Sequence, residues 1–371
     1  MGKEGIIQNG QILIEKGKIK KVGKNVNIPD NTKIIDASGK IVFPGMIDAH
    51  THLGIGEDGE GWEGRDYNET TDPVTPHLRA IDAINPYDSG LEETRKAGIT
   101  TVMTGPGSAN VLGGENAVIK TKGKTVEEME LKNPAGIKAA FGENPKRVYN
   151  EQKKSPATRM AIAAIIRETF IQAEDYLYKK ENNQEKDKPF DRDIKMESII
   201  RVLNKKIPLK AHAHRADDIM TIIRIAREFD IKVTLEHCTE GHKIAREIAE
   251  AGIPAVVGPT LTGRVKVELR ERDFKTPGVL AEAGVKVALM SDHPVIPAAN
   301  LPIYAALAVK SGMKKEEALK AITINAAEIL GVEDRVGSIE KGKDADIVIF
   351  TGDPLNVSSE VEKVLINGEL I

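Results

Sequence analysis

The sequence predicts an α/β fold, a (β/α)8 TIM-like barrel carrying a small β-sandwich domain built from both termini. Three observations lead there. Eight short apolar strand candidates run through the middle of the chain, most of them followed by a helical pattern. Both ends read instead as strands and tight turns. Six of the eight histidines fall at or just beyond strand ends, where a barrel gathers its reactive groups.

The elements follow in order. Gln11–Glu15 and Lys18–Val22 flank Lys16-Gly17 and predict a hairpin. Asp346–Phe350 and Val361–Ile366 predict two more strands, the second closed by Asn367-Gly368. Neither terminus has enough strands for a core of its own, so residues 1–43 and 337–371 are expected to form one composite domain around a barrel of residues 44–336. The barrel strands are read at Met46–Ala49, Ile99–Met103, Ala117–Lys120, Ile137–Phe141, Ile207–Ala211, Ile231–Leu235, Ile253–Val257 and Val285–Met290. Ile219, Ile222, Ile223, Ala226 and Phe229 recur on one helix face. Ile244, Ile248 and Ala251 do the same before Gly252 and Pro254 stop the helix. Ala157–Leu177 predicts a longer helix, and Lys179–Asp193 an exposed insertion.

Composition narrows the function. At 40% hydrophobic and 29% charged, the chain has the make-up of a water-soluble globular protein. A net charge of −3 gives no clustered cation for nucleic acid or an anionic membrane. No apolar run approaches the roughly 20 residues that span a bilayer. The single cysteine, Cys238, forms no internal disulfide, which suits a cytoplasmic enzyme. Cys238 is read as a small buried filler.

The histidines carry the chemistry. His50 and His52 follow the first strand and His212 and His214 the fifth. Each pair is spaced i, i+2, which puts both rings on one face of an extended chain. Neutral imidazoles on one face suit a divalent ion. A lone His-x-His is weak evidence, equally readable as a polar strand end. His237 ends the sixth strand, and Asp292-His293 ends the eighth. There a carboxylate can bind metal and take a proton from water, or merely cap a turn.

Taken together, His-x-His after strand one, His after strands five and six and Asp after strand eight resemble the amidohydrolase superfamily. PGMIDAHTH and INAAEILGVEDRVGSIEKGKDADIVIF resemble the signature segments of its cyclic-amide and imidazolonepropionase-like members. The resemblance implies a hydrolase in which a divalent metal, zinc by expectation and as one or two ions, activates water to cleave a C–N bond. The bond is that of a non-peptide cyclic amide, or of a dipeptide or acyl-amino acid. Deamination of a cyclic amidine is the alternative, and a metal-free barrel scaffold a distant one. The implied ligands are His50, His52, His212, His237 and Asp292, with Asp292 and His237 catalytic. On strand four Glu143 is preferred as a direct ligand, and Lys138, carboxylated and bridging, is the alternative. His214, His293 and Arg215 are expected in the substrate pocket, with Arg147 and Arg264 as further candidates to hold a substrate carboxylate. The expected partner is a small-molecule substrate, with a homo-oligomer left open. The segment Gly54–Pro76, rich in Glu and Asp and carrying Trp62, is either a solvated loop or a lid favouring cationic substrates.

Overall fold

The computed structural model describes residues 5–182 and 190–371. Strands β1 (Gln11–Glu15) and β2 (Lys18–Gly23) pair antiparallel through Lys16-Gly17, both at positive φ. Two successive left-handed residues suit the right-handed twist of a two-residue hairpin. β3 (Ile41–Pro44) leads straight into the barrel strands. These are β4 (Met46–Thr51), β5 (Ile99–Thr104), β6 (Leu112–Lys120), β7 (Glu130–Ala140), β8 (Leu209–Ala213), β9 (Val233–His237), β10 (Ala255–Val257) and β11 (Val287–Leu289). β12 (Ile347–Phe350), β13 (Val361–Ile366) and β14 (Glu369–Leu370) end the chain. β3 joins them in a four-stranded sheet ordered β14-β13-β12-β3, so both termini contribute to it.

All eight expected barrel strands form one sheet in chain order, from β4 to β11. One departs from the simple alternation: β6 runs antiparallel to both β5 and β7. The link 105–111 holds no helix, and it is much shorter than the dozen or so residues a parallel crossover needs. The chain therefore turns straight back. A second reversal through 121–129 restores the common direction for β7. Helices Arg159–Glu181, Ala216–Glu228 and Ala245–Glu250 occupy the expected outer positions, the second burying Ile219, Ile222, Ile223 and Ala226. Of the expected insertion Lys179–Asp193, residues 183–189 lie outside the described residues. Asp193 caps the next helix, Ile194–Leu203, accepting from the Lys195 and Met196 amides. No described helix is long and apolar enough to cross a membrane.

Helix Ile324–Leu330 and the residues after it plug the lower end of the barrel. Ala326, Ala327, Leu330 and Val332 pack against Ile47, Met103, Val118, Val256 and Ala288. Just before and within the helix, the Ile322 carbonyl accepts from the Ile47 amide and the Asn325 amide donates to the Val287 carbonyl. At the upper end the barrel closes between its first and last strands. The His52 amide donates to the His293 carbonyl (2.8 Å) and the Asp292 amide to the His50 carbonyl (3.2 Å). The buried Asp48 carboxylate accepts from the Ser291 amide across the same seam, at 3.1 Å.

A charge cluster fastens the terminal strands to the barrel. Asp344 accepts from Lys18, from Arg335 (2.9 and 3.1 Å) and from Lys120 of β6 (3.1 Å), and Lys120 also pairs with Asp346. Asp344 and Lys120 are both buried, at 3% exposure or less. Burial raises the Asp344 carboxyl, but Arg335, Lys120 and Lys18 outweigh it and bring it down to about 2. Removing one partner of a buried pair leaves an uncompensated charge. Asp344→Asn is therefore expected to lower unfolding free energy by about 3 kcal/mol at pH 7, read by urea denaturation. A depressed carboxylate stabilises the fold above its unfolded value, and that contribution disappears as it protonates. The gap between wild type and variant should hence be full above roughly pH 4 and close as pH falls toward about 2. A gap constant across that window would contradict this account.

Candidate metal centre

The strand ends place the side chains. In β4 the pairing register slips between Asp48 and Thr51, where His50 emerges. At the end of β9, His237 and Cys238 take positive φ (71° and 51°), and Asp292 does so after β11 (57°). Left-handed backbone is costly for such residues. Here it falls on two groups whose side chains meet the imidazole cluster.

Two groups of ligand-capable side chains result. His50, His52 and Asp292 form one, and His212, His214 and His237 the other, with the donor atoms of each group within 4.8 Å of one another. Asp292 Oδ1 lies 3.5 Å from His50 Nε2 and 3.4 Å from His52 Nε2. The groups adjoin: ring centroids of His50 and His237 are 5.4 Å apart, and those of His212 and His237 are 4.2 Å apart. Lys138 is fully buried on β7, with Nζ 3.1 Å from His50 Nε2.

Hydrogen bonds fix the tautomers. His52 Nδ1 donates to the Gly105 carbonyl (2.6 Å), His237 Nδ1 to the Gly258 carbonyl (2.9 Å) and His50 Nδ1 to Glu236 Oε2 (2.9 Å). In a neutral ring each Nε2 then carries the lone pair. Nε2 of His52 faces Asp292 Oδ1 at 3.4 Å, where a cation between them would be met by both. Burial lowers His50 to about 4 and holds His212, His214 and His237 well below the ordinary imidazole range. These rings are neutral at pH 7, the form that ligates. His212 Nδ1 and His214 Nε2 are buried without a protein partner. The donor set fits one or two divalent ions.

Behind His50 stands a buried relay of charge. Glu236 accepts from His50, from Thr234 Oγ1 (2.6 Å) and faces Lys210 Nζ at 3.8 Å. Burial raises the Glu236 carboxyl, while Lys210 and His50 more than reverse this and hold it down. Lys138 is lowered to about 8, by burial first, with Glu236 and Asp292 opposing.

Of the residues read from the sequence, His50, His52, His212, His237 and Asp292 are brought together. His214 joins them directly, its Nδ1 on Thr239 Oγ1 at 2.8 Å. Lys138 reaches the cluster. Glu143 is in neither group: it starts helix Glu143–Glu151, and its amide donates to Glu268 Oε1 (2.7 Å). His293 is buried against Gly90 with Nε2 unpartnered. Arg215 is bidentate on Asp217 (2.8 and 2.9 Å), Arg264 donates to the Arg270 and Arg272 carbonyls, and Arg147 faces Glu151. Cys238 is buried, its thiol pushed up to about 12 by burial, as a filler would be. The sequence reading gave no role to Glu236, Lys210, or Tyr67, which stacks on His52 at 5.2 Å. Glu236 was legible: it aligns with His212 on the neighbouring strand, and paired residues share a face. Tyr67 lies in a long loop, where no periodicity points inward.

Known proteins resemble the chain along its whole length. The family model described as "Amidohydrolase family" matches residues 41–371. A crystal structure of an amidohydrolase from Thermotoga maritima MSB8 is 50% identical and superposes with a TM-score of 0.94, over 97% of this chain and 94% of that one. Amidohydrolase tasK of Hapsidospora irregularis is 28% identical over 97% of this chain, which spans only 39% of that longer protein. An imidazolonepropionase of Fusobacterium nucleatum is 27% identical, over 94% of this chain and 86% of its own.

Two outcomes follow from the geometry. Glu236→Gln weakens the partner that orients His50 and should lower divalent-metal affinity about 10–100-fold, measured by competition with a chromophoric chelator; unaltered affinity would remove Glu236 from the centre. Cys238 should react with a thiol reagent only on unfolding, and stoichiometric labelling of the native protein would contradict its burial.

Proposed function

The chain belongs to the amidohydrolase family and is a metal-dependent hydrolase of C–N bonds; from that premise we propose that it holds two divalent ions and cleaves a non-peptide cyclic amide or the C–N bond of a dipeptide or acyl-amino acid. The observation that carries this reading is the pair of three-residue groups, with Lys138 in contact with His50 and its charge acting on members of both. His50, His52 and Asp292 would hold one ion, and His212 and His237 the other. His214 lies close enough to share the second. Imidazole and carboxylate donors suit zinc.

Lys138 is the better bridging candidate on β7. As an ammonium beside His50 it opposes a nearby dication. As a carbamate, formed when Nζ adds to carbon dioxide and loses a proton, it carries one negative charge and two oxygen donors. Glu143 offers no such approach, because its helix starts past the strand end.

A bound ion lowers the pKa of water and polarises a carbonyl oxygen. The chain's own groups handle the proton. Asp292, within reach of both His50 and His52, accepts it from the attacking water and returns it to the leaving nitrogen. His52 and His237 are held in one tautomer by main-chain carbonyls, which keeps Nε2 free throughout. Tyr67 covers one face of His52 and limits its movement. Amide and water yield a carboxylate and an amine. Deamination of a cyclic amidine uses the same water and the same proton shuttle, and release of ammonia separates the two.

Metal-loaded protein should hydrolyse members of a panel of cyclic amides, dipeptides and acyl-amino acids, and a chelator should abolish this reversibly. Asp292→Asn should cost about 10²–10⁴-fold in kcat while the histidines still retain metal by elemental analysis. Near-normal turnover in that variant would reject the shuttle. Lys138→Ala should bind one equivalent of metal where wild type binds two; two equivalents in the variant would reject the bridge.

A further inference from the structure

The groups read from the sequence as anion holders are engaged elsewhere, yet one cation beside the centre is not. Lys266 lies in the loop after β10, between the exposed Val265 and Val267. It is half-buried, and its Nζ donates to Asn144 Oδ1 at 3.0 Å. Among the described residues no carboxylate lies within 4.0 Å of it, unlike Arg147, Arg159 and Arg215, each paired with an acid. Asn144 is itself braced. Its amide nitrogen donates to Ser108 Oγ at 2.7 Å and lies 3.5 Å from His212 Nε2. One side chain therefore separates the ammonium from a ring of the second histidine group. Its charge bears on His212 and His214, and it feels Glu268, Asp292 and Glu143 in turn.

A half-buried ammonium with one neutral partner has donors to spare. A Lys head group normally stays in water or pairs with an acid when covered. Here it is held by an amide carbonyl at the side of the site where the second ion would sit. Substrate bound with its scissile carbon between the two histidine groups would have one end facing Asn144 and Lys266. An anionic end there gains charge-assisted hydrogen bonds, whereas a neutral one leaves the ammonium uncompensated.

We propose that Lys266, positioned by Asn144, is the specificity group that receives the α-carboxylate of the substrate, so that the enzyme selects N-acyl amino acids and dipeptides bearing a free carboxylate. This rests on the C–N hydrolase reading for the bond that is cleaved, not for the carboxylate contact itself.

Binding and turnover separate the two claims. Calorimetric titrations with a panel of N-acetyl-L-amino acids and their primary amides would be run on metal-loaded Asp292→Asn protein, with Lys266 intact, K266M or K266R. Intact Lys266 should favour the acid over the amide by about 10–100-fold. K266M should remove that preference by weakening the acid alone, and K266R should keep most of it. The proposal is overturned if K266M retains the preference, if it weakens acid and amide alike, or if no acid binds when Lys266 is intact. A preference that depends on Lys266 in a protein that hydrolyses none of these acids would uphold the carboxylate contact and reject the acyl-amino-acid reading.

Discussion

Closure of the barrel between β4 and β11 is the constraint on which the centre depends. His50 and His52 lie at the end of one edge strand of the sheet, and Asp292 lies just past the other. Asp292 lies 242 positions after His50 and 240 after His52 in the chain. They meet because the amides of His52 and Asp292 donate across the seam and because Asp48 accepts from Ser291 beneath them. The same short stretches thus both complete the barrel and present the ligands. Helix Ile324–Leu330 supports this from below, tied to the starts of β4 and β11. A sheet opened at this point would keep much of its apolar core and lose the first histidine group.

Bringing so many polar groups inside is costly unless each is answered. Three of the imidazoles spend Nδ1 on a carbonyl or carboxylate, which leaves Nε2 aimed inward. Burial removes the charge of His50, His212, His214 and His237, so these four neighbouring rings do not repel one another as cations. Glu236 is paired at depth with Lys210 and His50, whereas Asp292 Oδ1 stands 3.5 and 3.4 Å from Nε2 of His50 and His52. Within the protein the Lys138 ammonium meets the His50 Nε2 lone pair at 3.1 Å. A bound cation, with Lys138 as the proposed carbamate, would replace that contact.

The sequence made the scaffold legible and the second rank of the site only partly so. Apolar runs located all eight barrel strands, because burial on both faces leaves a compact hydrophobic signal. The direction of β6 was hidden, since strand direction is set by the length of the connection rather than by the run itself. His50, His52, His212, His237 and Asp292 were legible from their place after strands. The choice between Lys138 and Glu143 turned on two further residues of backbone. By strand alternation Lys138 faces the interior beside Lys210, whereas Glu143 has passed Gly142 (φ 85°) into a helix. Lys266 and Tyr67 come from long loops, where proximity is decided by tertiary packing and leaves no periodic trace.

The acidic segment after β4, readable from the sequence as a solvated loop or as a lid favouring cationic substrates, has several of its charges engaged within the fold. Glu57 accepts from Asn85, Asp72 pairs with Lys195, and Glu69 closes onto Thr71. Asp88, buried and outside the segment, accepts the amides of Gly54 and Asp58 and pins its start. These are the bonds of a folded loop, with Trp62 left 87% exposed on its surface. Lys195 offsets the charge of Asp72, and salt screens the exposed carboxylates beyond about 10 Å. Lys266 is the reverse case: among the described residues it has no acid within 4.0 Å, and it stands one amide away from a histidine of the centre. Selectivity should therefore follow the Lys266 ammonium at the side of the centre and not the more numerous negative charges on the rim.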